Sequence, residues 1–391
     1  MSDTLEQAAA RELPLAESHR RAGATLAARD GWLVPANYGD AAAEYEAVRG
    51  GEGAGLCDLS ARGRVEVSGK EAVQFLNGLV TNDVKALAPG AWMSAAFPNP
   101  QGRLLALARV LRTGEDETFI FDTEAATREV VLKNLERFTL AGDFRVRDLT
   151  KETAIISLQG AGATKIMSTA LGSSAVHLER GRIAVALHGW GYQHLTVIRA
   201  THTSEDGFDM FVSASEAKFL WDALVAAGAR AVGQDALEVL RVEAGVARYG
   251  VDVDATNVVL EAGADEAVSY TKGCYVGQEI IARIHWRGHV AKRLAGLVLE
   301  DLDENGEGAD ALAPGAAIKN ADASREIGRV TSAAFSPRLG KRIALGVIKY
   351  DFLPAGTEVL VEGAGGTRRA RVCALPFVRG SWHTEGAEAE S

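Results

Sequence analysis

Lys272-Gly273-Cys274-Tyr275-Val276-Gly277-Gln278-Glu279 is the stretch with the densest chemistry in the chain, and the apolar residues Ile280, Ile281 and Ile284 follow it at helical spacing. If Gly277 opens a helix, Cys274 stands just ahead of a helix N-terminus. Free amide N–H groups and the helix dipole favour a thiolate there, and Lys272 would add positive charge. A lone cysteine is equally able to serve as a small buried hydrophobe, so spacing by itself leaves both roles open. Beyond the helix start, Arg283, His285, Arg287 and His289 alternate with apolar residues. On a strand the four share a face; on a helix Glu279 pairs with Arg283, and only Arg283 and Arg287 align. The expected form is helix to about Ile284 and an irregular exit past Gly288. Either way a basic patch lies near Cys274, as a solvated face or a grip for an anionic tail.

The chain has 391 residues, 47% hydrophobic and 24% charged, which suits two or three lobes around buried cores. A formal charge of −10 argues against a broad grip on nucleic acid or on an anionic membrane. No apolar run reaches the ~20 residues of a membrane span, and residues 1–11 lack a signal-peptide core, so a cytoplasmic location is expected. Cys57, Cys274 and Cys373 are too few and too scattered for a disulfide framework, a complete Fe–S site or a structural zinc site, and no metal site is expected.

Working outward, Arg64-Val65-Glu66-Val67 alternates as a strand, and Ser68-Gly69 turns into a helix through Val73, Leu76 and Val80. The pattern returns at Thr153–Leu158, Gln159-Gly160 and a helix through Ile166 and Ala170, a weak repeat of strand, glycine turn and helix. Gly102 to Val110 reads as a buried strand with Thr118 to Phe121 as its hairpin partner, and a helix begins near Ala125. Ser213-Ala214-Ser215-Glu216 forms a capping-box pattern ahead of Phe219, Leu220 and Leu224. A further helix spans about Gln234 to Ala244. After position 291, short strands separated by Gly, Pro and acidic residues predict a small β-barrel, with an acidic insertion over Glu300–Asp310. The expected division is an N-terminal extension over 1–18, a body over 19–290, a barrel over 291–380 and a disordered tail over 381–391.

Every position of Lys-Gly-Cys-Tyr-x-Gly-Gln-Glu resembles the signature of the YgfZ family. That family comprises folate-binding proteins linked to iron–sulfur cluster assembly and repair, and it shares its fold with the glycine cleavage T-protein (GcvT), an aminomethyltransferase. The segments His19 to Ala24, Gly31 to Tyr38 and Glu44 to Arg49 resemble the opening of GcvT-type proteins in order. The resemblance implies an α+β fold, a three-lobed GcvT/YgfZ-like folate-binding body with a small C-terminal β-barrel, and tetrahydrofolate or a folate derivative in a central channel. Arg199 to Asp209 resembles the family's Arg-x-x-Tyr-x-x-Glu-Asp-Gly segment with His202 in place of tyrosine, which assigns Glu205 to the pteridine; the bland alternative is a turn. Leu240 to Gly245 and Tyr249-Gly250 match a second segment, implying Arg241 and Tyr249 at the ligand or in the channel wall, with a salt bridge as the alternative for Arg241. Arg283 is the candidate for a glutamate tail. Lys272 would tune the Cys274 thiol, Gly273, Tyr275 and Gly277 would shape the loop, and Gln278 and Glu279 would fix it.

One departure matters most. Where T-proteins have Gly-Gly-Ile-Ile-Asp-Asp, with the second aspartate acting in aminomethyl transfer, this chain has Gly102-Arg103-Leu104-Leu105-Ala106-Leu107. A leucine neither accepts a proton nor stabilises a developing cation. The expectation is therefore a folate-binding protein that supports Fe–S enzymes through Cys274, with Fe–S client or assembly proteins as partners. The alternative is a folate-dependent aminomethyl- or methyltransferase using a different acid. Asp83 is expected to cap local backbone.

Overall fold

The alternating run at Arg64–Val67 becomes the strand Gly63–Ser68, whose Val65 and Val67 are fully buried. It joins a five-stranded antiparallel sheet in the order Ala91–Pro98, Leu104–Arg112, Thr118–Thr123, Gly63–Ser68, Arg145–Asp148. Helices Ala72–Leu79 and Arg128–Glu136 bring Leu76, Val131 and Leu135 onto Val110, Phe119 and Phe121 to form the first core. The expected hairpin is present, with Val110 opposite Phe121.

The computed structural model describes residues 10–114, 117–140, 142–172, 177–187, 192–300, 312–363 and 366–383. The second lobe repeats the first lobe's strand, glycine turn and helix with Thr153–Gln159 and Ala163–Leu171. Its sheet runs Ile183–Leu187, His194–Arg199, Gly207–Ser213, Thr153–Gln159, Gly55–Asp58, Arg230–Ala231. One face packs on helices Ala163–Leu171 and Ala217–Ala226. The other, through Cys57, Ile155 and Ile198, meets Tyr45 and Val48 of helix Ala41–Arg49, Leu237 and Leu240 of helix Gln234–Ala244, and Leu111 and Ile120 of the first sheet. That shared core brings the two sheets and two helices around a common centre. A three-stranded sheet, Arg11–Glu12, Trp32–Asn37 and Thr25–Arg29, closes the N-terminal side.

The C-terminal region is a closed six-stranded barrel in the order Lys292–Leu299, Lys341–Lys349, Glu326–Ser336, Ala317–Asn320, Glu358–Gly363, Gly366–Cys373. The sequence pattern marks four of these strands. Ala317–Asn320 is short, and the last strand turns a run of arginines outward, so neither shows clear apolar alternation.

The capping box at Ser213 is not formed as expected. Ser213 stays at the end of its strand, and the Glu216 carboxylate accepts instead from the Ser213 hydroxyl and the Gln193 N–H. Within the range expected as a tail, Ser381–His383 makes a 3-10 turn. The acidic insertion after Glu300 and the tail Thr384–Ser391 lie outside the described residues. Among the described residues, no helix is long and apolar enough to cross a membrane.

Candidate functional site

Gly277 has φ +75° and forms the N-cap of helix Gln278–Arg287. A Cβ there would sit 2.4 Å from the Asn99 carbonyl oxygen, so glycine allows both the left-handed backbone and the close approach to the turn ahead of strand Leu104–Arg112. Gly102 of that turn lies against Ile280 and Ile281, which seats the helix. Cys274 is exposed on the loop. Lys272 is buried, and its ammonium donates to the carbonyls of Val80 (2.9 Å) and Asn82 (2.6 Å), 5.1 Å from the Tyr275 ring centre. Burial pulls its pKa down to about 8, against a weaker pull upward from Asp83. Tyr275 is buried, Gln278 Nε2 reaches the Gly273 carbonyl at 3.5 Å, and Asp83 accepts from the Ala86 N–H as a backbone cap. The region after the motif is helical as far as Arg287, so the four basic residues do not share one face, and Glu279 pairs with Arg283 at 2.7 Å on the surface. His285 stacks on Tyr270 at 3.7 Å, beside an exposed Trp286.

Three adjoining cavities of about 170, 110 and 510 Å³ lie where the two sheets, helix Gln234–Ala244 and the barrel meet. Arg62 and Glu124 are walls of both smaller cavities; Leu107, Ala264 and Glu266 are shared by the second and third; Val246 and Ala247 by the first and third. Leu107 therefore faces this channel, as does Cys373, whose thiol burial pushes up to about 11.

A chain of buried charge lines one side. Arg62 makes a two-pronged contact to Asp122 (2.8 and 3.0 Å), Arg109 bridges Asp122 and Asp209, and His202 meets Asp209 at 2.8 Å. Burial pushes the Asp122 and Asp209 carboxyls up. Arg109 and Arg62 outweigh it at Asp122, and His202 and Arg109 at Asp209, so both end below the usual carboxylate range. Glu124 is the contrary case. Burial outweighs Arg62, Arg248 and Arg241, and its pKa is raised. Strand alternation could have flagged Arg109 and Asp122; the pairing to Asp209 crosses lobes and leaves no local signal.

Glu205 is buried. Arg49 donates to one of its oxygens at 2.8 Å, and the Ser381 N–H and hydroxyl donate to the other at 2.7 and 2.6 Å. Arg241 lines the first cavity while it pairs with Asp252 (2.7 Å) and Glu238, and donates to Ser332 at 2.7 Å. The Tyr249 N–H donates to Glu124. The structure thus places Arg241 and Leu107 on the walls of the channel, whereas Tyr249 lines none of the three cavities and meets them only through its N–H contact to Glu124. Glu205 belongs to the Arg49–Ser381 cluster, and Arg283 and Cys274 lie on the outer surface of the motif loop and helix.

The GCVT N-terminal domain profile matches residues 15–272, and that of the glycine cleavage T-protein C-terminal barrel domain matches residues 292–379. An aminomethyltransferase of Rubrobacter xylanophilus is 36% identical over 94% of both chains. A probable aminomethyltransferase of Natronomonas pharaonis is 33% identical over 93% of this chain and 98% of its own. The crystal structure of the glycine cleavage system aminomethyltransferase T from Bartonella henselae superposes with a TM-score of 0.83 at 26% identity, covering 94% of this chain and 98% of that one.

Proposed function

The chain belongs to the GcvT family, and from that premise we propose that it binds tetrahydrofolate in the channel and acts in folate-dependent aminomethyl or methyl transfer. The observation that supports this most is that the three cavities adjoin and share walls. Together they offer the elements a folate needs: carboxylates to accept from an aminopyrimidine, apolar walls at Leu237, Val246 and Leu294, and arginines for an anionic tail. Arg248 and Arg293 would serve the tail, in preference to Arg283 on the surface. Glu205 would reach a pteridine only by exchanging Ser381 for it. The folate supplies the one-carbon acceptor; the protein's part is to bind, orient and exclude water.

A second reading rests on the exposure of Cys274. Cys57 is fully buried and Cys373 partly so, leaving Cys274 as the accessible thiol. In that reading the chain is a YgfZ-type protein that binds folate and supports iron–sulfur cluster assembly or repair through this sulfur, in contact with Fe–S client or assembly proteins.

Anaerobic titration calorimetry with tetrahydrofolate tests the shared premise, and absence of binding by folded protein removes both readings. Folate-dependent release of ammonia from an aminomethylated lipoyl carrier then separates them. Turnover that survives Cys274→Ala establishes the transferase. Binding without turnover, together with loss of Fe–S enzyme activity in cells carrying Cys274→Ala, establishes the second.

A further inference from the structure

Strand Leu104–Arg112 runs antiparallel to Thr118–Thr123 with Ala108 opposite Thr123, and the Thr123 hydroxyl donates to the Leu107 carbonyl at 2.7 Å. One further step of that register sets Glu124 across from Leu107, and residues directly opposite on antiparallel strands present their side chains to the same face. Both line the 110 Å³ cavity, and Glu124 also lines the 170 Å³ one. A carboxyl group therefore stands in the channel beside the position where the family pattern has lost one.

Glu124 is also uncommitted in a way its neighbours are not. Its only hydrogen-bond donor among the described residues is the Tyr249 N–H, 3.2 Å from each oxygen, and it has no ion pair there. A carboxylate offers about four acceptor sites, so most of its capacity faces the cavity. The surrounding cations are already engaged: Arg62 by Asp122, Arg109 by Asp122 and Asp209, Arg241 by Glu238 and Asp252, Arg248 by Glu238, and Arg29 by Asp235. Of the other titratable groups on these walls, Asp58 is held by His19 and His202 by Asp209, while Asp30 and Glu266 are exposed.

We infer that Glu124 is the proton-handling carboxyl of the channel, standing in for the aspartate that the family pattern places at Leu107, and that it accepts a hydrogen bond from an amine N–H of the bound folate. The inference rests on the folate reading above. Burial holds the free group's pKa up, whereas a ligand N–H favours its ionised form and lowers it. Binding then releases a proton, and affinity rises with pH through the free group's raised pKa.

Calorimetric titration with tetrahydrofolate from pH 4.5, the ordinary glutamate value, up to 9, with each pH run in two buffers of different ionisation enthalpy, measures both the affinity and the proton count. Wild type is expected to gain about tenfold in affinity for each unit by which the ligand lowers the pKa, with up to one proton released. Glu124→Gln keeps an oxygen for the Tyr249 N–H, so its melting temperature should hold, and its affinity should be flat with pH and its proton count near zero. A variant profile that superimposes on that of wild type overturns the assignment, as does a wild type that binds folate without exchanging a proton. The latter measurement decides the matter even if the variant does not fold. A wild type that binds no tetrahydrofolate at any pH removes the folate reading and this inference with it.

Discussion

Lys272 and Cys274 are two residues apart and occupy different media: the sulfur is on the surface, and the ammonium is enclosed by the first lobe and spent on the carbonyls of Val80 and Asn82. The lysine thus serves to pin the motif loop to the end of helix Ala72–Leu79. Its enclosure has a measurable consequence. With the folded pKa near 8 and the ordinary lysine value at 10.5, the unfolded chain binds more protons than the folded one between those pH values. Stability contributed by this site is therefore lowest below about pH 8 and rises as pH climbs toward 10.5. Denaturant melts of wild type and Lys272→Met from pH 7 to 10.5 should show the difference moving in favour of wild type, by at most about 3 kcal/mol at 1.36 kcal/mol per pKa unit. A difference independent of pH would mean that the lysine is solvated.

Two glycines decide how the motif helix meets the first sheet. Gly277 and Gly102 both have positive φ, and the backbone of one touches the other, so the helix start and the turn before strand Leu104–Arg112 form one junction. Gly277→Ala must adopt a left-handed conformation costing about 1–2 kcal/mol and also displace the Asn99 carbonyl. The expected outcome is a loss of about 2 kcal/mol or more in urea unfolding, with faster hydrogen exchange in helix Gln278–Arg287; an unchanged midpoint would show that the junction yields. Features of this local kind were open to sequence reasoning. The hairpin that carries Leu107, the repeated strand-turn-helix units, the helix after Gly277 and the barrel are all set by periodicity and turn residues within a few positions. What escaped depends on pairing across the fold. Glu124 sits at a strand–helix junction and reads as punctuation until the register places it opposite Leu107. Glu205 and Ser381 are 176 residues apart, and neither residue type signals the other. Arg241 shows the ambiguity of a single charge, since it both lines the channel and makes the salt bridges that were the plainer expectation for it.

Helix Gln234–Ala244 joins body and barrel. From its C-terminal half, Arg241 reaches Ser332 and, through Asp252, Thr331 on the barrel strand Glu326–Ser336. Glu243, fully buried, accepts from Tyr45 (2.7 Å) and Arg49 (2.9 Å) on helix Ala41–Arg49 and from Ser336 on the barrel. Its backbone carbonyl takes the N–H groups of Phe377 and Val378 as the chain leaves the barrel. Arg49 continues to Glu205 and so to Ser381, which makes one connected set of buried polar contacts from the N-terminal helix to the C-terminal turn. Removing one partner from such a pair costs more than the pair contributes, because a buried charge is left uncompensated; the usual figure is about 3–5 kcal/mol. Glu243→Gln leaves Arg49 with Glu205 alone and turns an amide donor toward either Arg49 or the two hydroxyls, so a loss near the lower end of that range is expected. Trp32, Trp92, Trp221, Trp286 and Trp382 lie outside the barrel strands, and tryptophan fluorescence follows the body while hydrogen exchange of barrel peptides follows the other half. In wild type the two probes should report one coincident urea transition. In Glu243→Gln the barrel peptides should lose protection at lower urea than the tryptophan signal, since one of the polar contacts that couple the halves is weakened while those of Arg241 and Asp252 remain. Coincident transitions in the variant would mean that the contacts of Arg241 and Asp252 with Ser332 and Thr331, together with the apolar contacts of Val242 with Leu294, Ile343 and Leu345, suffice to hold the barrel to the helix.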